Sequence, residues 1–284
     1  ATNGIKVHIT DDCMPTPFLS YAIRTLHADA GINVTASHNP KEYNGYKVSW
    51  SDGGQVTAPV DKEIVAEVAK ITEPSMVKFE SGLRCGEIMT MGAEVDESYL
   101  KDLLSLSLSP EMCRKHSDLK IVYTPLHGCG VRLVPEILKR LGFENIIHVP
   151  DQDVSDGNFP TVVSPNPENP EAMTLGIKLG TKLNADLVVA TDPDADRLAI
   201  VCRNAKGEWQ ILNGNQTACM FYWYTIKNKK ALNQLKSTDF MVKTIVTSEL
   251  IAKICKKNGS HHRTCGSAYG GSYFGCHSMY APIN

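Results

Sequence analysis

Asp186-Leu187-Val188-Val189-Ala190-Thr191-Asp192-Pro193-Asp194-Ala195-Asp196-Arg197 is an apolar strand that releases into an acidic loop. The pattern predicts a strand from Asp186 to Ala190, preceded by a strand at Lys120–Tyr123, a helix at Val134–Leu141, a strand at Asn145–Val149 and a helix at Glu171–Leu183. Strands alternating with helices indicate α/β architecture, a parallel or mixed sheet covered by helices. Downstream, Leu198–Cys202 and Glu208–Leu212 flank Asn204–Gly207 as a hairpin. The stretch 150–170, rich in Pro, Asn and Asp, reads as an ordered excursion over the surface.

The same alternation opens the chain, with a strand at Ile5–Ile9, a helix from Thr16-Pro17 towards Gly31 and a buried strand at Ile32–Ala36. Tyr46, Val48 and Trp50 alternate with Lys47 and Ser49, so the aromatic side is expected to be buried and Lys47 to face away. Helices are expected over 59–71 and 96–108, then a helix over 216–230, a strand over 240–247 and a helix over 249–257. From His261 to Asn284 no period is sustained, and a poorly packed tail is expected. Breaks near Ser109-Pro110 and Asn213-Gly214 divide the chain into three parts, 1–109, 110–213 and 214–284.

A formal charge of -2 over 284 residues leaves no general positive field for nucleic acid or an anionic membrane, so any phosphate recognition must be local. The nine cysteines are odd in number and scattered without a CxxC pair, which favours free thiols in a reducing compartment. No apolar run approaches the roughly 20 residues that span a bilayer. A cytoplasmic protein is the expectation. Because Ala1 stands almost directly before a strand, the natural N-terminus is expected to lie upstream.

In the acidic loop, carboxylates at i, i+2 and i+4 of an extended backbone converge on one side. Three such groups repel one another, and without a cation at least one resists ionisation. Magnesium, which takes hard oxygen ligands, resolves the conflict, so Asp192, Asp194 and Asp196 are candidate metal ligands. The competing reading is a solvated acidic turn around Pro193. An EF-hand is excluded, because Arg197 and Arg203 fall where its glycine and glutamate belong.

Thr35-Ala36-Ser37-His38-Asn39-Pro40 also sits where an apolar strand feeds a loop. Open α/β sheets place reacting groups at such ends. A serine that has been phosphorylated carries nearly two negative charges and is a ready phosphoryl donor beside a divalent ion. Taken alone, Ser37 reads as a turn-capping serine, His38 as a surface histidine and Lys47 as a solvated strand residue. The coincidence of both loops in one chain changes that reading.

Thr35–Pro40 followed by Asn44-Gly45-Tyr46-Lys47, together with Asp192–Arg197, resembles the α-D-phosphohexomutase superfamily over roughly residues 4–258. Thr124-Pro125-Leu126-His127-Gly128-Cys129-Gly130 and the 150–170 excursion are similar to its phosphopentomutase-like branch. The resemblance implies consecutive α/β domains with mixed sheets, the third incomplete and the fourth absent, and a chain truncated at both ends. It implies that Ser37 is the phosphoserine and that Ser37, Asp192, Asp194 and Asp196 hold magnesium. Arg197 would bind phosphate, and His38 and Lys47 would assist proton transfer or charge balance. The implied activity moves a phosphoryl group between positions 1 and 6, or 1 and 5, of a sugar monophosphate, with glucose 1,6-bisphosphate as activator.

Two other readings predict different outcomes. In a haloacid-dehalogenase-type phosphatase, Asp192 would be the nucleophile and Asp194 the acid, which leaves Ser37 unexplained. In a noncatalytic mutase fragment, the chain would bind metal or a protein partner without turnover. For His127, the sequence leaves open both an anion-facing turn and a structural one.

Overall fold

The computed structural model describes residues 1–78 and 86–265. The chain divides into two compact units, one formed by residues 1–36 and 43–102, the other by residues 37–42 with the chain from Leu103 onward.

The first unit contains strand β1 (Val7–Thr10), helix α1 (Thr16–Thr25), the hairpin strands β2 (Ala30–Thr35) and β3 (Gly45–Trp50), helix α2 (Val60–Val68), strand β4 (Ile88–Met91) and most of helix α3 (Ala93–Ser105). β1 pairs in parallel with β4, a short strand that the sequence pattern does not announce, and β2 pairs antiparallel with β3. Phe18, Tyr21 and Tyr99 stack edge-on and tilted between α1 and α3, with centroids 5.3 and 5.1 Å apart.

The hairpin corrects two expectations: the strand read as buried at Ile32–Ala36 has no buried residue, and the aromatic side of β3 is not covered. Tyr46 and Trp50 are 47% and 52% exposed, whereas Ser49 is buried and Lys47 half-buried. The cause is the side on which α1 lies. A Cβ on Gly31, which faces Ser49 across the hairpin, would stand 2.6 Å from Ile23 of α1, and Asn33, opposite Lys47, donates to Thr16 Oγ1 at 2.6 Å. The helix therefore covers the Gly31–Asn33–Ser49 face, and Ile32, Val34, Tyr46 and Trp50 form an exposed apolar face.

The second unit is built on a five-stranded sheet. Its strands are β5 (Lys120–Thr124), β6 (Asn145–His148), β7 (Leu187–Thr191), β8 (Leu198–Arg203) and β9 (Trp209–Leu212), in the order β6-β5-β7-β8-β9. β6, β5 and β7 run parallel, β8 runs antiparallel to β7, and β9 runs antiparallel to β8. A short helix α4 (Pro110–Lys115) precedes the sheet, and α5 (Gly130–Leu141) and α6 (Thr174–Lys182) belong to the parallel crossovers. Val122, Val188 and Val201 are wholly buried in the core beneath α6. α6 approaches closely because Gly176 and Gly180 face Val188, where a Cβ would lie only 2.9 and 3.1 Å from its methyl groups.

Helix α7 (Gly214–Ala231) and helix α8 (Leu250–Lys257) pack with the parallel strands β10 (Phe240–Thr244) and β11 (His261–Cys265). Tyr222, Ile226, Ile251 and Cys255 form their core. Strand β11 overrides the expected tail at its first five residues, because backbone pairing with β10 does not require apolar alternation. The remainder of that expectation, residues 266–284, lies outside the described residues. α7 starts on a reciprocal cap, with Asn213 Oδ1 accepting from Gln216 N–H and Gln216 Oε1 from Asn213 N–H, both at 3.0 Å. Asn213→Ala is expected to destabilise this unit by about 1 kcal/mol, measurable by urea denaturation.

Candidate functional site

The acidic residues lie in the six-residue connection between β7 and its antiparallel neighbour β8. Asp192 and Asp194 are buried and Asp196 is half-buried, and one carboxylate oxygen from each lies within 4.8 Å of the others. The loop folds on Asp192, whose Oδ1 accepts from Asp196 N–H at 3.2 Å and Arg197 N–H at 3.0 Å. Ala195 turns through the left-handed region at φ 51°. Burial, then the charges of Asp194 and Asp196, push the Asp192 carboxyl up to about 8, with the Arg197 N–H pulling the other way.

Ser37 comes to this loop. Its hydroxyl donates to Asp192 Oδ2 at 3.3 Å and lies 3.2 Å from His38 Nδ1. Its backbone is left-handed, φ 53°, a conformation that costs a non-glycine residue about 1–3 kcal/mol and clusters at functional sites. The Ser37 loop is held by the 150–170 excursion, where Ser164 Oγ donates to the His38 carbonyl at 3.3 Å and Asn158 Oδ1 accepts from Lys41 Nζ at 2.9 Å. Ser37, His38, Asp192, Asp194, Asp196 and Arg197 therefore belong to one unit. Lys47 belongs to the other, half-buried on β3 opposite Asn33.

Residues 1–75 match the family described as phosphoglucomutase/phosphomannomutase, alpha/beta/alpha domain I, and residues 97–207 match its alpha/beta/alpha domain II. The chain belongs to the α-D-phosphohexomutase superfamily. It is 38% identical over 257 residues to a phosphoglucomutase of Staphylococcus saprophyticus, covering 89% of this chain and 45% of that one. It is 36% identical over 267 residues to a phosphopentomutase of Mus musculus, covering 92% and 43%. The fold matches a crystal structure of a phosphoglucomutase/phosphomannomutase family protein from Burkholderia thailandensis with TM-score 0.69 at 20% identity, over 94% of this chain and 53% of that one. The chain thus spans about half the length of the curated relatives it matches.

The triad fits a divalent cation of the magnesium type. Its donors are hard carboxylate oxygens brought together in a mostly buried loop, where their mutual repulsion calls for positive charge. Among the described residues this is the one grouping of three or more acidic, histidine or cysteine side chains close enough to share an ion. Arg197 is half-buried at the end of the same loop.

A buried polar assembly beneath the loop was not legible in the sequence as a unit. The β5-to-α5 turn lies against the acidic loop, with Cys129 N–H donating to the Pro193 carbonyl at 2.8 Å and Gly128 so close that a Cβ would stand 2.3 Å from Pro193 Cα. The Tyr123 hydroxyl lies 2.9 Å from Thr191 Oγ1, and burial pushes it well above the usual phenol range. His127 is 3% exposed, with its ring between the Val154 carbonyl and Thr161 Oγ1, so the structural reading of this turn prevails. The available signal was the Thr124–Gly130 motif, which marked the turn without disclosing its distant partners.

Proposed function

We propose that the chain carries the phosphoryl-shuttling half of a phosphosugar mutase. In this reading, phosphorylated Ser37 donates to a sugar monophosphate, a sugar bisphosphate reorients, and its other phosphoryl returns to the serine. The observation that carries the proposal is the Ser37 hydroxyl, in strained backbone, 3.3 Å from one carboxylate of a buried acidic triad. In each transfer the P–O bond at the donor oxygen breaks as one to the acceptor oxygen forms, and the acceptor hydroxyl loses its proton. Such chemistry needs alignment and charge neutralisation above all.

Asp192, Asp194 and Asp196 would hold magnesium together with an oxygen of the Ser37 phosphate, and the bound ion would neutralise charge developing on the transferred group. Asp192 orients the Ser37 oxygen through their shared hydrogen bond. His38 Nδ1, 3.2 Å from that oxygen, is placed to accept or return a proton. Arg197 is assigned to phosphate binding, and Lys47 to charge balance, on the motifs that contain them. The names of the relatives support glucose and pentose phosphates as the substrate class, and membership of the family supports a bisphosphate such as glucose 1,6-bisphosphate as phosphoryl source.

The division into parts 1–109, 110–213 and 214–284 is also proposed, as is the phosphopentomutase-like branch. Cys13, Cys113, Cys202, Cys219 and Cys255 are free thiols, which supports the proposal of a cytoplasmic compartment. No helix among the described residues is long and apolar enough to cross a membrane.

Incubation with magnesium and glucose 1,6-bisphosphate, followed by intact mass and peptide mapping, is expected to place one phosphate on Ser37 and none on a Ser37→Ala variant. Phosphate trapped on Asp192 would instead establish the dehalogenase-type reading. Metal binding with no phosphate on any residue would make the chain a noncatalytic binding module.

A further inference from the structure

The side chains beneath the acidic loop form a hydrogen-bonded relay with one direction. Leu126 N–H donates to Thr124 Oγ1 at 3.1 Å, and Thr124 O–H donates to Gln152 Oε1 at 2.8 Å. Gln152 Nε2 donates to Thr161 Oγ1 at 3.1 Å, leaving the Thr161 proton for His127 Nε2 at 2.8 Å. His127 Nδ1–H then donates to the Val154 carbonyl at 3.0 Å, because a carbonyl can only accept. Thr124 and Gln152 are 0% exposed and His127 is 3% exposed, so each link that is lost leaves a polar atom in a dry place.

The relay ties the β5 turn to the excursion at Gln152, Val154 and Thr161. Two backbone bonds reinforce it, His127 N–H to the Gln152 carbonyl at 3.0 Å and Asp156 N–H to the His127 carbonyl at 3.2 Å. The same excursion carries two side chains that reach the Ser37 loop, Asn158 to Lys41 and Ser164 to the His38 carbonyl. We infer that Thr161 is a positioning residue for Ser37: its hydroxyl, which accepts from Gln152 and donates to His127, fixes the excursion that seats the Ser37 loop against Asp192. The placement stands on geometry, while its effect on rate rests on the reading of Ser37 as the phosphoryl carrier.

Thr161→Val keeps the volume and removes both bonds, whereas Thr161→Ser keeps both. Trypsin cleavage after Lys41, which follows the open population of that loop, is expected to quicken about tenfold in Thr161→Val and to stay at the wild-type rate in Thr161→Ser. Hydrogen exchange at the Asp156, Phe159 and Val162 amides should rise in Thr161→Val only. Ser164→Ala, which cuts the link farther along, should quicken cleavage after Lys41 without altering those amides. Phosphate uptake at Ser37 from glucose 1,6-bisphosphate is expected to slow about tenfold in Thr161→Val, with manganese affinity of the acidic triad unchanged. Faster exchange at 156–162 with wild-type cleavage after Lys41 would overturn the inference, as would failure of Thr161→Ser to restore wild-type behaviour. If the wild-type chain takes no phosphate, the functional reading fails while the cleavage and exchange measurements still decide the placement.

Discussion

Replacing Asp192 with asparagine is expected to raise the melting temperature of the magnesium-free protein at about pH 8 by roughly 5–10 °C, while lowering magnesium affinity at least about a hundredfold. The Asp192 carboxyl is pushed from the ordinary 3.8 to about 8 by burial and by its two acidic neighbours. An unfolded chain releases that proton at ordinary carboxylate pH, and the folded chain holds it. Metal-free stability should therefore fall as pH rises from about 4 to about 8, by an amount on the order of 3–5 kcal/mol when complete. Asparagine keeps an oxygen for the Asp196 and Arg197 N–H groups and removes the charge. Millimolar magnesium should reverse the order of the two proteins, because binding stabilises only the wild type. Calorimetry with chelator and with magnesium checks this, and equal melting points in chelator at about pH 8 would show that the buried charge carries no such cost.

The second large effect is expected from Gly128→Ala. The added methyl carbon would stand 2.3 Å from Pro193 Cα and 2.5 Å from its carbonyl oxygen. Both are backbone atoms, so no side-chain rotation relieves the overlap, and the change should cost about 3 kcal/mol. Because Pro193 lies between two of the proposed ligands, metal affinity should fall with stability, on the order of tenfold. Unlike Asp192→Asn, this variant should be weakened with and without metal. Gly157→Ala, whose Cβ would meet nothing within 4 Å, is the matching control and should melt with the wild type.

The second unit was readable because its strands are apolar and its helices periodic. From Lys120 to Leu212 the expected elements all form, with their ends shifted by a few residues. Asp192–Asp196 and Ser37 were legible as chemistry because three carboxylates on one short loop conflict electrostatically unless something binds them. The face of β3 was not legible. Alternation at Tyr46, Val48 and Trp50 fixes the period of a strand, but the side that is covered depends on where α1 packs, and the small side of Gly31 decides that. The Thr124–Gln152–Thr161–His127 relay was hidden for another reason: hydrogen bonds between positions up to 34 residues apart leave no period. β4 and β11 were missed because short strands paired mainly through their backbones need no hydrophobic signature.

The reversal of the sheet between β7 and β8 has a consequence for how the acidic loop tolerates change. Thr191 and Leu198 are paired across the two strands, so the six residues between them are a closed arch with both feet on adjacent strands. Such an arch has no slack. An inserted or deleted residue cannot be absorbed by sliding either foot, since a one-residue slip would turn every side chain of that strand to the opposite side of the sheet. Length is therefore as strict a requirement here as acidity, and a loop transplanted from a relative should work only if it brings the same number of residues.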